Sequence, residues 1–295
     1  MPLGFKDYEE PEHWLSFDEI QRLLSVFVRL GLKRIRLTGG EPLLRKNLPD
    51  LVGRLATLPG IDDLSLSTNG TQLAKYASRL RQAGVARLNV SLDSLDRDRV
   101  RAISHRDVLP QVLEGLEAAR GEGFRLIKIN MVAMAGTTDE EVHAMVAYCM
   151  ERQFVLRLIE TMPVGATGRN AGFLDLGPVR ERLRRRFSLI DGVVAGGGPA
   201  RYLVSPDGRF QIGFITPISQ HFCESCNRVR LAVDGTLYLC LGQDESVNFR
   251  SLLRMNCTDA ALEQALLAGL RNKPARHEFR ERPYQVIRAM SMTGG

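Results

Sequence analysis

Short apolar runs recur along the first two thirds of the chain. Each is followed by a polar turn and then by a stretch whose apolar positions lie three and four apart. The runs 34–37 (RIRL), 64–67 (LSLS), 88–92 (LNVSL), 126–132 (LIKINMV) and 155–159 (VLRLI) read as strands. Residues 48–58, 71–83, 110–120 and 139–150 carry the helical period between them. Alternation of this kind predicts a parallel sheet, because each crossover helix returns the chain to the end it left.

Polar groups cluster at the carboxyl ends of these strands: Thr38 to Glu41, Ser67 to Asn69, Ser91 and Asp93, Asn130, and Glu160. In a βα barrel those ends converge on one mouth, where ligands bind. Five units are too few to close a barrel. The expectation is an α/β protein with a partial (β/α) barrel whose open side is covered by the carboxy-terminal region; a doubly wound open sheet is the alternative.

After a helical pattern at 176–187 the texture changes to the turn-rich stretch 192–199, which suggests a boundary near 190. Residues 1–190 then form the partial barrel and 191–295 a smaller α+β region. Its short strands fall at 209–215, 228–233 and 236–241, and a helix at 259–272. Asp234-Gly235 predicts a type I′ hairpin that sets Cys240 opposite Val229.

Composition removes several function classes. The chain has 295 residues, 44% of them hydrophobic, and 40 Lys+Arg against 34 Asp+Glu give a net charge of +6. No apolar run approaches membrane-spanning length, and the amino terminus is polar and acidic where a signal peptide would be basic and then apolar. A cytoplasmic protein without membrane contact is expected. Much of the positive excess lies in 180–186 (RERLRRR), which reads as a solvated helix face. Few aromatic residues lie near the basic ones, so nucleic acid is not an expected partner, whereas a small polyanion is.

Five cysteines, three of them within 18 positions, point to metal rather than to a disulfide framework. Cys223-Glu-Ser-Cys226 is followed thirteen residues later by Cys240. A zinc site would need a fourth ligand, for which His221 is the nearby candidate; an iron–sulfur cluster on three cysteines leaves one iron open. Arg228 and Arg230, two apart on a strand, present two guanidiniums to one face, a pairing suited to phosphate or carboxylate. Cys149 and Cys257 have no partner spacing and read as packed thiols.

Several segments together resemble the GTP 3′,8-cyclase family of radical S-adenosylmethionine enzymes, which begin molybdopterin synthesis. They are Ile35-Arg-Leu-Thr-Gly-Gly-Glu-Pro-Leu-Leu-Arg45, Leu66-Ser-Thr-Asn-Gly70, Asn89-Val-Ser-Leu-Asp93, Lys128-Ile-Asn130, Ile159-Glu-Thr-Met-Pro163, the C-x2-C-x13-C stretch with Asn227-Arg-Val-Arg230, and the terminal Gly294-Gly295. The family's amino-terminal C-x3-C-x2-C-M-P is represented here by Met1-Pro2 alone, without its cysteines and without the first barrel strand that precedes them.

The resemblance implies that Gly39, Gly40, Glu41, Ser91 and Met162 contact S-adenosylmethionine. It places Arg36, Ser67, Lys128, Arg157, Arg228, Val229 and Arg230 on GTP, with Arg34 and Arg45 as further contacts. Cys223, Cys226 and Cys240 would hold a [4Fe-4S] cluster. A second [4Fe-4S] cluster belongs to the family, but its ligands are absent from this sequence. The implied reaction makes a 5′-deoxyadenosyl radical that takes hydrogen from ribose C3′ of GTP, after which that carbon attacks guanine C8. Implied partners are a reductant protein and the downstream cyclic pyranopterin monophosphate synthase, with a homodimer as a further expectation. Two alternatives stay open: a homologue that binds GTP and one cluster without radical activity, and a zinc-containing, phosphate-handling βα-barrel lyase.

Overall fold

A computed structural model describes residues 10–194, 198–284, 286, 288 and 290–293. Met1-Pro2 and Gly294-Gly295 lie outside the described residues. The strands of the first part are β1 (Arg34–Leu37), β2 (Asp63–Thr68), β3 (Arg87–Ser91), β4 (Leu126–Ala133) and β5 (Val155–Glu160). Helices α1 (Phe17–Arg29), α2 (Leu48–Ala56), α3 (Leu73–Gln82), α4 (Arg97–Ser104), α5 (Leu109–Gly121) and α6 (Asp139–Arg152) precede or connect them. Then follow α7 (Gly165–Asn170), α8 (Leu176–Arg186), β6 (Ile190–Gly192), β7 (Arg201–Val204) and β8 (Gln211–Ile215).

These eight strands make one sheet in the order β1-β2-β3-β4-β5-β8-β7-β6. The first five run parallel in strict chain order, and β8 adds a sixth parallel strand beside β5. Chain order without reversal is the winding of a barrel; a doubly wound sheet would reverse at a switch point. β7 and β6 then return antiparallel. The sheet therefore continues across position 190, and the expected cover from the carboxy-terminal region begins inside the sheet itself.

The two faces of the sheet differ in chemistry. Ile35, Leu64, Leu66, Leu88, Val90, Ile129, Met131, Leu156, Leu158, Leu203, Ile212 and Phe214 are buried on the helix side. Leu51, Val52 and Leu55 of α2, Leu80 of α3, Leu116 of α5 and Val146 of α6 join them in one core. The alternate positions, including Arg36, Ser67, Asn89, Lys128, Asn130 and Arg157, fall on the concave face. A parallel sheet is normally apolar on both faces, so this polarity marks the interior as a binding surface.

Beyond the sheet, β9 (Arg230–Leu231), β10 (Thr236–Tyr238) and β11 (Ser246–Asn248) form a small antiparallel sheet, followed by α9 (Phe249–Arg254), α10 (Asp259–Arg271) and α11 (Met290–Thr293). This region packs back on α1. Asp259 pairs with Arg22 (3.0 Å) and Arg29 (2.9 Å), and the Phe27 and Phe249 rings meet edge to face at 5.5 Å. α1 itself is started by a capping box in which Ser16 accepts from the Glu19 amide and Glu19 from the Ser16 amide. The basic stretch of α8 is solvated and largely paired, Arg180 and Arg184 with Asp191 and Arg182 with Asp139. Among the described residues no helix is long and apolar enough to cross a membrane.

Candidate active site

At the barrel mouth the β1 strand gives way to Thr38-Gly39-Gly40-Glu41. Gly39 has φ +148°, a conformation that favours glycine. Glu41 Oε1 accepts from the Leu43 amide (3.0 Å) and the Thr68 hydroxyl (2.7 Å), and Oε2 accepts from the Asn69 amide (2.7 Å). The carboxylate thus ties the β1 loop to the β2 loop. Burial pushes its carboxyl up from the ordinary range against the pull of these donors. A carboxylate offers about four lone-pair sites, so Oε2 keeps room for one more donor. Ser91 is exposed at the end of β3, on the same rim. Met162, after β5, lies in a second small apolar cluster with Val164, Phe279 and Val286.

Deeper inside, the register sets polar residues in rows. Arg36, Ser65 and Arg87 share one; Ser67, Asn89 and Lys128 the next; Ser91, Asn130, Arg157, Gly213 and Tyr202 a third. Lys128 and Arg157 are buried. Arg157 donates from Nε to Asn130 Oδ1 (2.8 Å) and from Nη2 to Asn89 Oδ1 (2.5 Å). Lys128 Nζ donates to the Tyr202 hydroxyl at 3.1 Å. The Ser67 hydroxyl is buried without a hydrogen-bond partner. Among these groups the one buried carboxylate is Asp63, and it forms a bidentate ion pair with Arg87.

The electrostatics follow from that imbalance. Burial, followed by the charges of Arg157, Arg87 and Arg36, pulls the Lys128 ammonium down to about 7. Burial and Arg36 pull Arg157 to about 10. Arg36 keeps an exposed surface, yet partial desolvation with the charges of Arg87 and Arg228 lowers it too. Repulsion among like charges of which only Arg87 is held by a carboxylate is the signature of a site built for an anion.

The β9–β10 hairpin brings Arg228 and Arg230 within electrostatic reach of Arg36. Its turn differs from the expected type I′ form. Ala232 faces Thr236, three residues intervene, and among Val233, Asp234 and Gly235 only the glycine has positive φ (+87°). Asp234 instead caps the turn by accepting from the Thr236 amide (2.9 Å) and hydroxyl (2.8 Å). This three-residue loop with a left-handed glycine shifts the register by one. Arg230 faces Tyr238, a register whose extension would set Arg228, not Val229, opposite Cys240. Val229 accordingly packs its side chain against the core while Arg228 and Arg230 take the other face.

Cys226 Sγ accepts from Arg228 (3.5 Å); burial raises this thiol, but the Arg228 amide, its guanidinium and Lys273 outweigh burial and lower it overall. Cys240 and Cys226 both act on Arg230, which burial pulls to about 10. Lys273 donates to the carbonyls of Arg228 (2.9 Å) and Leu239, clipping the two arms of the hairpin beside the thiols. Among the described residues no three His, Cys, Asp or Glu side chains meet at a single-ion site. His221 stacks edge-on with His277 at 6.4 Å.

Other expected contacts have structural duties. Arg45 donates to the Leu15 carbonyl (2.8 Å) and stacks on Trp14 and Phe17. Arg34 is exposed on β1. Cys149 is fully buried, its thiol pushed up to about 12, and Cys257 packs on the core. Asp63, Arg87 and Tyr202 are site residues beyond those expected from the sequence, although Arg87, two before Asn89, lies on the same period-two polar face.

A sequentially ordered parallel sheet with a Gly-Gly-Glu loop at its mouth and a cationic interior is the frame of a radical S-adenosylmethionine enzyme. Residues 4–149 match the radical SAM superfamily, and residues 154–279 match the carboxy-terminal family of molybdenum cofactor synthesis. Among solved structures, Streptococcus suis SuiB is similar in fold, with a TM-score of 0.60 at 15% identity; the match covers 88% of this chain and 60% of SuiB. The GTP 3′,8-cyclase of Ectopseudomonas mendocina is 46% identical over 95% of this chain and 86% of its own length. Those of Marinobacter nauticus (45%; 95% and 86%) and Paracoccus denitrificans (43%; 95% and 84%) are similarly alike. The chain belongs to the GTP 3′,8-cyclase family.

Proposed function

We propose that this chain binds GTP on the concave face and acts in the family's reaction, the cyclisation of GTP to (8S)-3′,8-cyclo-7,8-dihydroguanosine 5′-triphosphate. The observation that carries this reading is the unneutralised charge inside the barrel. Arg36, Lys128, Arg157, Arg228 and Arg230 come from the barrel strands and the hairpin, and the side chains that accept from Arg157, Lys128 and Arg228 are amides, a phenol and a thiol. A triphosphate supplies the missing negative charge, and planar guanidiniums grip it from several directions. Ser67, with its buried and unpartnered hydroxyl, fits a donor or acceptor on the same ligand. The Val229 contribution falls to its backbone.

Cys223, Cys226 and Cys240 would hold a [4Fe-4S] cluster. Three thiols at C-x2-C-x13-C spacing, with Arg228 and Lys273 beside Cys226, suit a cluster that leaves one iron open better than a zinc ion, which needs a fourth protein ligand. Gly39, Gly40, Glu41, Ser91 and Met162 would take S-adenosylmethionine, with Glu41 Oε2 receiving its ammonium. Within residues 1–295 no C-x3-C-x2-C occurs, so no ligand set for the second cluster is present in this sequence and no step is derived through it. Bound clusters and S-adenosylmethionine supply one-electron chemistry; the protein's part is to orient the nucleotide and keep water from the reacting carbons. In this reading residues 1–190 supply the cofactor-binding strands of the barrel, and 191–295, which add β7 and β8 to its sheet, carry the cluster and complete the nucleotide site. The product passes to cyclic pyranopterin monophosphate synthase, a reductant protein delivers electrons, and the setting is cytoplasmic.

The test is iron, acid-labile sulfide and zinc per chain after anaerobic reconstitution. About four irons with matching sulfide, lost in Cys223→Ala, Cys226→Ala or Cys240→Ala, support the assignment. Stoichiometric zinc with negligible iron overturns it.

A further inference from the structure

Lys128 of β4 and Tyr202 of β7 are joined across two intervening strands. Lys128 Nζ donates to the Tyr202 hydroxyl at 3.1 Å and stands 5.5 Å from the centre of its ring. β5 and β8 lie between them and present Arg157 and Gly213 at the register of Tyr202. Glycine is what leaves the path open. A Cβ at Gly213 would stand 2.8 Å from Tyr202 Cε1 and 3.1 Å from Ala200 Cβ, so any side chain there displaces the ring. We propose that Tyr202 is a positioning residue for Lys128, seated over Gly213, which holds the lysine ammonium on the concave face and so sets the strength and pH range of triphosphate binding. This inference rests on the placement of GTP argued above.

The groups facing Lys128 explain why it needs an anchor. They are Arg36 on β1, Asp63 on β2, Arg87 on β3, Arg157 on β5 and Tyr202 on β7. Three of these are guanidiniums that repel the ammonium. Asp63 attracts it but is already held by Arg87. A lysine on a flexible four-carbon stem, repelled from three sides, relaxes away unless something accepts its proton-bearing head. The Tyr202 oxygen does so as a hydrogen-bond acceptor. Burial raises the phenol's own titration, so Tyr202 stays neutral and leaves the ammonium's charge for the ligand. An aspartate at the same place would anchor Lys128 equally well and cancel it.

The experiment is equilibrium binding of GTP alone to the intact chain and to Tyr202→Phe, Gly213→Ala and Lys128→Met, from pH 6 to 9. Tyr202→Phe keeps the ring and removes the acceptor. It is expected to weaken binding about tenfold near neutral pH, the loss of one hydrogen bond to a charged group. It should also move the alkaline fall in affinity to lower pH, since the neutral amine is then favoured. Gly213→Ala should act in the same direction, and in the Lys128→Met background Tyr202→Phe should add nothing. Parental affinity and an unmoved pH limb in Tyr202→Phe, with Lys128→Met still weakened, would overturn the role of Tyr202 alone. A uniform loss at every pH would reduce Tyr202 to packing and also overturn it. Unchanged binding in Lys128→Met would instead remove the placement of GTP on which the inference stands.

Discussion

Arg157 on β5 reaches past β4 to donate to Asn89 on β3 at 2.5 Å, while its Nε donates to Asn130 at 2.8 Å. Two neutral amides thus fix a buried guanidinium in orientation without neutralising it. Most buried arginines are paired with carboxylates. Here the counter-charge is withheld, and the same is true of Lys128 beside Tyr202. Affinity for a polyanion is bought with stability of the empty protein, and that opposition gives the account its sharpest tests.

Asn89→Asp gives Arg157 its missing partner. The empty protein should melt higher, while GTP binding falls about tenfold or more because the new carboxylate competes with and repels phosphate. Asn89→Ala should do the reverse on stability, costing about 1–3 kcal/mol for an unsatisfied buried guanidinium. Thermal melts with and without GTP read both effects.

Lys128→Met is expected to stabilise the empty protein. The ammonium titrates at about 7 in the fold against 10.5 ordinarily, so between those values the unfolded chain holds the proton and the folded one does not. The penalty is therefore fully present below pH 7, shrinks as pH rises and is gone above 10.5. Discounted for the solvent that reaches the barrel mouth, removing it should contribute about 1–2 kcal/mol at pH 6.5 and little at pH 9.5. Melts at the two pH values check the sign; equal gains at both would point to better packing instead.

Lys273 fastens the arms of the cysteine hairpin through the carbonyls of Arg228 and Leu239. Lys273→Met should leave those carbonyls unsatisfied, lower stability by about 1–3 kcal/mol, and reduce the iron and sulfide retained after desalting. Full iron retention in the variant would show that the hairpin is held by its other contacts.

The strand–helix period of residues 34–159 is enough to predict the parallel sheet. Polar residues two apart within otherwise apolar strands, such as Arg87 and Asn89 or Lys128 and Asn130, mark its inner face. Helix α1 is not among the expected helices, although Ser16 and Glu19 form a capping box at its start. β7 is not legible, since four residues (RYLV) after a glycine-rich stretch carry too little pattern, and with it Tyr202 escapes notice. The hairpin register depends on whether Asp234 takes positive φ. It does not; its carboxylate bonds to Thr236, and a single added loop residue sets Tyr238 opposite Arg230.

The most direct test of a triphosphate site inside the barrel is the affinity of the intact chain for GTP, GMP and guanosine, with Arg157→Gln beside it. Affinity should climb steeply with phosphate number, and Arg157→Gln should flatten that climb while leaving guanosine unchanged. Equal affinity for guanosine and GTP, or an Arg157→Gln isotherm that matches the parent, would contradict the cationic face as the nucleotide site.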